Sequence, residues 1–414
     1  MNRSSIALLA IAAATILPLS AIGPACAQAR THPRSGAYPA RDASMVMTAD
    51  GPVRGRVAGN HREFLGLPYA APPTGELRWK PPISHAAWTT AWDATRFRSR
   101  CAQVSFMPGL ANDSSEDCLY LNIYSPNPAR RHLPVMVWIH GGTFLVGSGE
   151  DADGSVLAAK GRVVVVTINY RLGPLGFLAH RSLDAENPHH VSGNYGLLDQ
   201  QAALRWVLRN LAAFGGDPTR VTIFGESAGG ISVCLQLTAP GAEGLFQRAI
   251  NESGPCQMVK TTAKAQAQGD QLAAALGCGK AADVAACMRA KPTQQVLDAL
   301  PASPVGGGVL WFPVIDGSVL PQTADQAFKS GKFTRVPIIS GSNHDEGTLF
   351  VAFGQPITAD QYPAVIQNRL GQNNAARVME EYPLHAYPTP GEAWAAVFTD
   401  SFFSCPARRT TRLL

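Results

Sequence analysis

The stretch VTIFGESAGGISV, Val221 to Val233, decides how this chain is read. A short apolar run ends at Phe224, a serine follows between glycines, and a second apolar run has helical spacing. Gly225-Glu226-Ser227-Ala228-Gly229 fits the pattern G-x-S-x-G. A serine on a sharp strand-to-helix turn tolerates only small flanking residues. The turn aims the N–H of the next residue, Ala228, at the place where an oxyanion would form, and the helix N-terminus adds a favourable dipole. A glycine-rich turn without chemistry would share the pentapeptide, but the strand before and the helix after favour a nucleophile. Ser227 is therefore the candidate nucleophile, and it needs a base.

The flanking segments give the fold class. LPVMVWIHGG (133–142) and GRVVVVTINYRLG (161–173) read as buried strands, the second apolar enough to be covered on both faces. LLDQQAALRWVLRNLAAFGG (197–216) has helical spacing and a glycine stop. RVPIISGSNHDEG (335–347) reads as a strand ending in a polar loop. Segments around 51–82 read as short antiparallel strands and a proline-rich loop. Strands alternating with helices predict an α/β fold with a mainly parallel sheet, whose ligands sit at the carboxyl ends of strands. Residues 255–330, rich in Ala and Gln, are expected to form an inserted helical cap.

Two further motifs fall at strand ends. The N–H groups of Gly141 and Gly142 can approach a substrate oxygen and, with Ala228, form a three-donor oxyanion hole. A tight turn is the plainer reading of those glycines. His140 before them is read as loop support, not as the base. Glu346 lies after Ser227 in the order nucleophile, acid, histidine, and a carboxylate there would orient an imidazole. Asp345 is the competing acid.

Composition narrows the rest. The 414 residues are 46% hydrophobic with net charge +5, and the basic residues are scattered singly, which gives no sign of nucleic-acid binding. Residues 1–27 have a basic start, an apolar run and a small-x-small end at Ala25-Cys26-Ala27, the layout of a secretory signal peptide cut near Ala27. Residues 28–45 read as a disordered lead-in, and 46–414 as the folded domain. No later segment is long and apolar enough to span a bilayer. Export permits disulfides. Removal of Cys26 leaves Cys101, Cys118, Cys234, Cys256, Cys278, Cys287 and Cys405, an odd number. His189-His190 near Asp184 and Glu186 lacks metal-ligand spacing, so no metal is expected. No organic cofactor is implied.

Taken together these motifs make the chain resemble the type-B carboxylesterases, the cholinesterase-like α/β-hydrolases. The resemblance rests on FLGLPYAAPPTGELRW (64–79), SEDCLYLNIYSP (115–126), PVMVWIHGG (134–142), NYGLLDQQAALRWV (194–207), NLAAFGGDPTRVTIFGESAGG (210–230) and GSNHDEGTLF (341–350). It implies a mostly parallel sheet with helices on both faces and an inserted cap. It also implies Ser227 as acyl-ester nucleophile, Glu346 as acid, and Gly141, Gly142 and Ala228 as oxyanion donors. Cys101 is expected to pair with Cys118, worth roughly 3 kcal/mol on the chain-entropy estimate, and Cys278 with Cys287. Cys234 is expected to be merely buried, and Cys256 is left without a partner.

The same resemblance places the catalytic histidine beyond DSFFSCPARRTTRLL (400–414), along with a partner for Cys405, the last strand and further helices. Of the ten histidines only His385 follows Glu346 in the chain, and EYPLHAYPTP (381–390) is read as a surface segment. The expectation is a C-terminally incomplete serine hydrolase, secreted or periplasmic, acting on small uncharged carboxylic esters. The segment CAQVSFMPGLANDSSEDC (101–118) has no Trp and only Phe106 as an aromatic, which argues against choline esters. The competing class is a catalytically impaired or cholinesterase-like binding module. Retention of the serine, the glycines and the acid weighs against it.

Overall fold

A computed structural model describes residues 42–104, 113–302, 308–352, 354 and 356–414. The signal peptide, most of the lead-in and Phe106 lie outside these residues. The first described strand, Met45–Met47, joins Pro52–Arg54 and Trp92–Asp93 in a small sheet.

The central sheet has eight strands: β1 Arg56–Ala58, β2 His61–Pro68, β3 Tyr120–Pro126, β4 Leu133–Ile139, β5 Val164–Ile168, β6 Gly216–Glu226, β7 Arg248–Glu252 and β8 Ile338–Gly341. Their spatial order is β8-β7-β6-β4-β5-β3-β2-β1. The pairings from β5 through β8 are parallel, and those from β5 out to β1 are antiparallel. The segments read as small antiparallel strands thus extend one side of the main sheet. All five residues of β5 are buried, as its unbroken apolar run requires. In β4, Val135, Val137 and Ile139 are fully buried. Met136 and Trp138, on the opposite face, are only half-buried. β8 is an edge strand, and its Ile339 is 68% exposed. Among the described residues no helix is long and apolar enough to cross a membrane.

Two helices flank β6 in the chain. Helix α1, Tyr195–Asn210, continues through a 3-10 turn to Gly215, whose left-handed backbone ends it as expected. Helix α2, Ala228–Thr238, starts directly after Ser227 and is buried along its whole length. The inserted region contains helices Thr262–Ala275, Val284–Arg289 and Thr293–Asp298. A two-strand pair, Lys260–Thr261 with Val314–Ile315, completes it.

Among the described residues three disulfides are formed. Cys101–Cys118 and Cys278–Cys287 are the expected pairs. The third, Cys234–Cys256, corrects the expectation that Cys234 is merely buried and supplies the partner that Cys256 lacked. The reason is a backbone contact that no sequence window contains. A Cβ on Gly230 would lie 3.0 Å from the Cα of Gly254, so α2 and the loop after β7 touch main chain to main chain. One helical turn beyond Gly230, Cys234 then meets Cys256. Closing this 22-residue separation stabilises the fold by about 3 kcal/mol on the chain-entropy estimate. Cys256→Ser is expected to lower the urea-unfolding free energy by that order. A loss below about 1 kcal/mol would show that helix packing alone holds the loop. Cys405 is free and exposed.

Candidate active site

The sheet register assembles the site. Ile139 pairs with Gly225, and Glu226 pairs with Glu252, which in turn pairs with Gly341. The carboxyl ends of β4, β6, β7 and β8 therefore finish at one level, and the loops carrying the candidate residues leave from it. Ser227 sits where β6 turns into α2, with φ 55° and ψ −119°. This backbone is strained for a residue with a Cβ, by an order of 1–3 kcal/mol, and is held by its surroundings. The Ser227 N–H donates to Glu252 O at 2.9 Å, and the Ile231 N–H closes the first helical turn on Ser227 O at 2.8 Å. The flanking glycines are required by close approach. A Cβ on Gly229 would lie 1.9 Å from Ile139 O, and one on Gly225 would lie 2.6 Å from the same oxygen. The start of α2 thus rests directly on the end of β4.

That contact brings the other motif in. A Cβ on Gly141 would stand 3.2 Å from the Ser227 Cβ and 2.8 Å from Glu226 O. Gly142 opens a turn in which its carbonyl accepts from Leu145 and Val146. Ala228, the first residue of α2, is buried. Gly141 thus lies close to Ser227, and Gly142 follows it in the same turn.

His140 is not disposed as a base. Its ring stacks on Tyr170 with centroids 4.3 Å apart, and Nδ1 lies 2.8 Å from Gly141 O. Its Nε2 has no partner. Burial pulls its pKa down to about 4, so the ring is neutral near pH 7. Tyr170 Oη donates to His140 O at 2.8 Å, which ties the start of the His140–Gly142 turn to Tyr170.

The two candidate acids separate. Asp345 is 76% exposed and pairs with the still more exposed His344. Glu346 is half-buried and opens the helix Glu346–Ala352 rather than lying in a loop. Its Oε1 accepts from Ser253 Oγ, from Asn343 N at 2.8 Å and from Asn343 Nδ2 at 3.2 Å. Glu346 also acts electrostatically on Glu226, beside Ser227. Burial, then Glu346 and Glu252, push the Glu226 carboxyl up to about 7. No sequence window shows this, because Glu252 reaches Glu226 through the strand pairing and Glu346 through the helix after β8. Among the described residues no histidine hydrogen-bonds to Ser227 or Glu346. His385 is exposed, in a short 3-10 turn. Near His189-His190, Asp184 is bonded to Ser192 and Gln266, and Glu186 to Arg289.

The Glu226 shift has a measurable sign. A folded pKa of about 7 against a usual value of 4.5 means that the folded state keeps a proton that the unfolded state has lost. Its contribution to stability therefore falls as pH rises from 4.5 to 7 and then levels. Glu226→Gln is expected to flatten that part of the Tm–pH curve. Parallel curves for the two proteins would remove the shift.

The family model described as the carboxylesterase family matches residues 42–414. The chain belongs to the carboxylesterase family. It is 42% identical to fumonisin B1 esterase of Sphingopyxis macrogoltabida over 364 residues, covering 86% of this chain and 66% of that protein. It is 39% identical to para-nitrobenzyl esterase of Bacillus subtilis (strain 168) over 375 residues, covering 88% and 74%. It is 40% identical to the cholinesterase of Mus musculus over 337 residues, covering 75% and 55%. This member of the family thus spans between about half and three quarters of the length of these relatives. A solved para-nitrobenzyl esterase structure superposes with a TM-score of 0.77 at 37% identity, over 89% of this chain and 77% of that one. The fold is accordingly the α/β-hydrolase fold.

Proposed function

We propose that this carboxylesterase-family chain is a carboxylic-ester hydrolase that works through an acyl-serine intermediate on Ser227. The observation that carries the reading is the strained Ser227 backbone with Gly141 packed against its Cβ. Ser227 Oγ attacks the ester carbonyl. The N–H groups of Gly141, Gly142 and Ala228 hold the tetrahedral oxyanion, the alcohol leaves, and water then releases the acid. Glu346 orients the imidazole that serves as base, and none of the bonds at this site comes from a histidine of the described residues. The high pKa of Glu226 keeps much of its charge off at neutral pH, which lowers repulsion with the nearby oxyanion.

The substrates are small uncharged esters. A quaternary ammonium group is best held by an aromatic face, and the 101–118 segment contains no Trp. The chain acts outside the cytoplasm, secreted or periplasmic, after cleavage near Ala27. Three disulfides are consistent with such a compartment. Hydrolysis of butyrylthiocholine should be compared with that of its uncharged dimethylbutyl isostere, both in imidazole buffer. The expected kcat/KM is at least about tenfold higher for the neutral ester, on the order of 1.4 kcal/mol in the transition state. Equal or reversed values would remove the uncharged-ester reading.

A further inference from the structure

The inserted region holds two lysines on one cleft that have no acidic partner among the described residues. Lys260 is half-buried, and its Nζ donates to Leu310 O at 2.5 Å and to Gln268 Oε1. The ammonium stands 5.9 Å from the centroid of the Trp311 ring. Among the described residues no carboxylate pairs with it, and burial alone pulls its pKa down to about 8. Lys264, Gln268 and Gln271 follow at spacings of four and three, on one face of the helix Thr262–Ala275. With Lys260, Leu310 and Phe312 they line an open cleft of about 510 Å³.

The hydrogen-bond balance of this cleft is one-sided. Gln268 is 8% exposed, and its Nε2 has no acceptor. Its Oε1 is already taken by Lys260, which fixes the amide with the donor left over. A buried donor without a partner costs about 1–3 kcal/mol. Among the described residues neither ammonium has a carboxylate partner, and the Gln268 Nε2 has no acceptor. The N-terminal end of the same helix adds positive potential. Opposite them Leu310 and Phe312 offer an apolar wall, and Phe312 also packs on Phe144 with ring centroids 6.1 Å apart.

We propose that this cleft, between the Lys260 strand and the Thr262–Ala275 helix, binds an organic carboxylate with an apolar body. The carboxylate supplies the counter-charge that Lys260 and Lys264 lack and an acceptor for the Gln268 Nε2, and the apolar body lies on Leu310 and Phe312. Inorganic anions would satisfy the donors but not the wall, and neutral amphiphiles the wall but not the donors. The lining of the cleft does not include Ser227, and binding there does not depend on ester turnover.

Calorimetric titration of the full chain with octanoate, 1-octanol and inorganic phosphate tests this. Octanoate is expected to bind at least tenfold more tightly than either comparator. Lys264→Gln, at an exposed position that leaves folding alone, should weaken octanoate severalfold. Lys260→Met should weaken it at least tenfold, whereas Lys260→Arg should retain it. Affinity should also fall between pH 7 and 9 as Lys260 loses its proton. No octanoate binding, equal binding of octanol or phosphate, or octanoate binding that ignores both lysine substitutions would each overturn the proposal.

Discussion

Imidazole added to the 414-residue chain is expected to raise its hydrolysis of p-nitrophenyl butyrate, and Ser227→Ala is expected to abolish that increment. The argument starts from the geometry. Ser227 is partly exposed at the elbow, with Gly141 close to its Cβ, where the proposed oxyanion hole would form. His140 is the histidine of this loop, and it is neutral, stacked on Tyr170 and turned to Gly141 O. A serine hydroxyl without a base remains a neutral alcohol, and the oxyanion hole with binding gives only about 10³–10⁴-fold over water. A positioned base is worth about 10²–10⁴-fold. A dissolved one forfeits much of the positional part, so the expected gain at saturating imidazole is about tenfold over Ser227→Ala at the same concentration. An identical imidazole dependence in both proteins would mean that the buffer acts on the ester without the serine.

The largest loss of stability is expected from Asp199→Ala. Asp199 is fully buried in α1, and it holds Arg171 by a bidentate pair at 2.7 and 2.8 Å. It also accepts the Arg171 backbone N–H at 3.0 Å. The guanidinium is 4% exposed and lies 5.3 Å from the Tyr195 ring centroid. Removing the acid strands a buried cation and costs about 3–5 kcal/mol. Replacing both partners at once, Arg171→Met with Asp199→Leu, removes the charge and its desolvation together. That double variant is expected to lose less than the single one. Urea unfolding of the two variants decides this, and an Asp199→Ala loss below about 1 kcal/mol would contradict it.

What could be read in the sequence was what local pattern determines. The β4, β5 and β6 strands follow from apolar runs, and the elbow from two glycines whose missing Cβ atoms let α2 rest on Ile139 O. Cys101–Cys118 and Cys278–Cys287 came from a family resemblance and are formed. Cys234–Cys256 was not legible, because its pairing depends on α2 docking against the loop after β7. The choice between Asp345 and Glu346 was likewise tertiary. Adjacent in sequence, they differ in that Glu346 turns to Ser253 and Asn343, while Asp345 faces solvent. Glu226 carried no signal of its own, since its high pKa comes from burial and from residues 26 and 120 positions away. The Lys260 cleft was hidden for the same reason. It needs Leu310 and Phe312 brought back from the far side of the inserted region.

The central claim is that Ser227 is the group that takes the acyl chain. The most direct measurement is to treat the full chain with a p-nitrophenyl phosphonate in imidazole buffer, digest it, and map the adduct by mass spectrometry. The account predicts a stoichiometric adduct on the peptide carrying Gly225-Glu226-Ser227-Ala228-Gly229, lost in Ser227→Ala. A folded protein that stays unlabelled at Ser227, or that is labelled equally well in the Ser227→Ala variant, would contradict it.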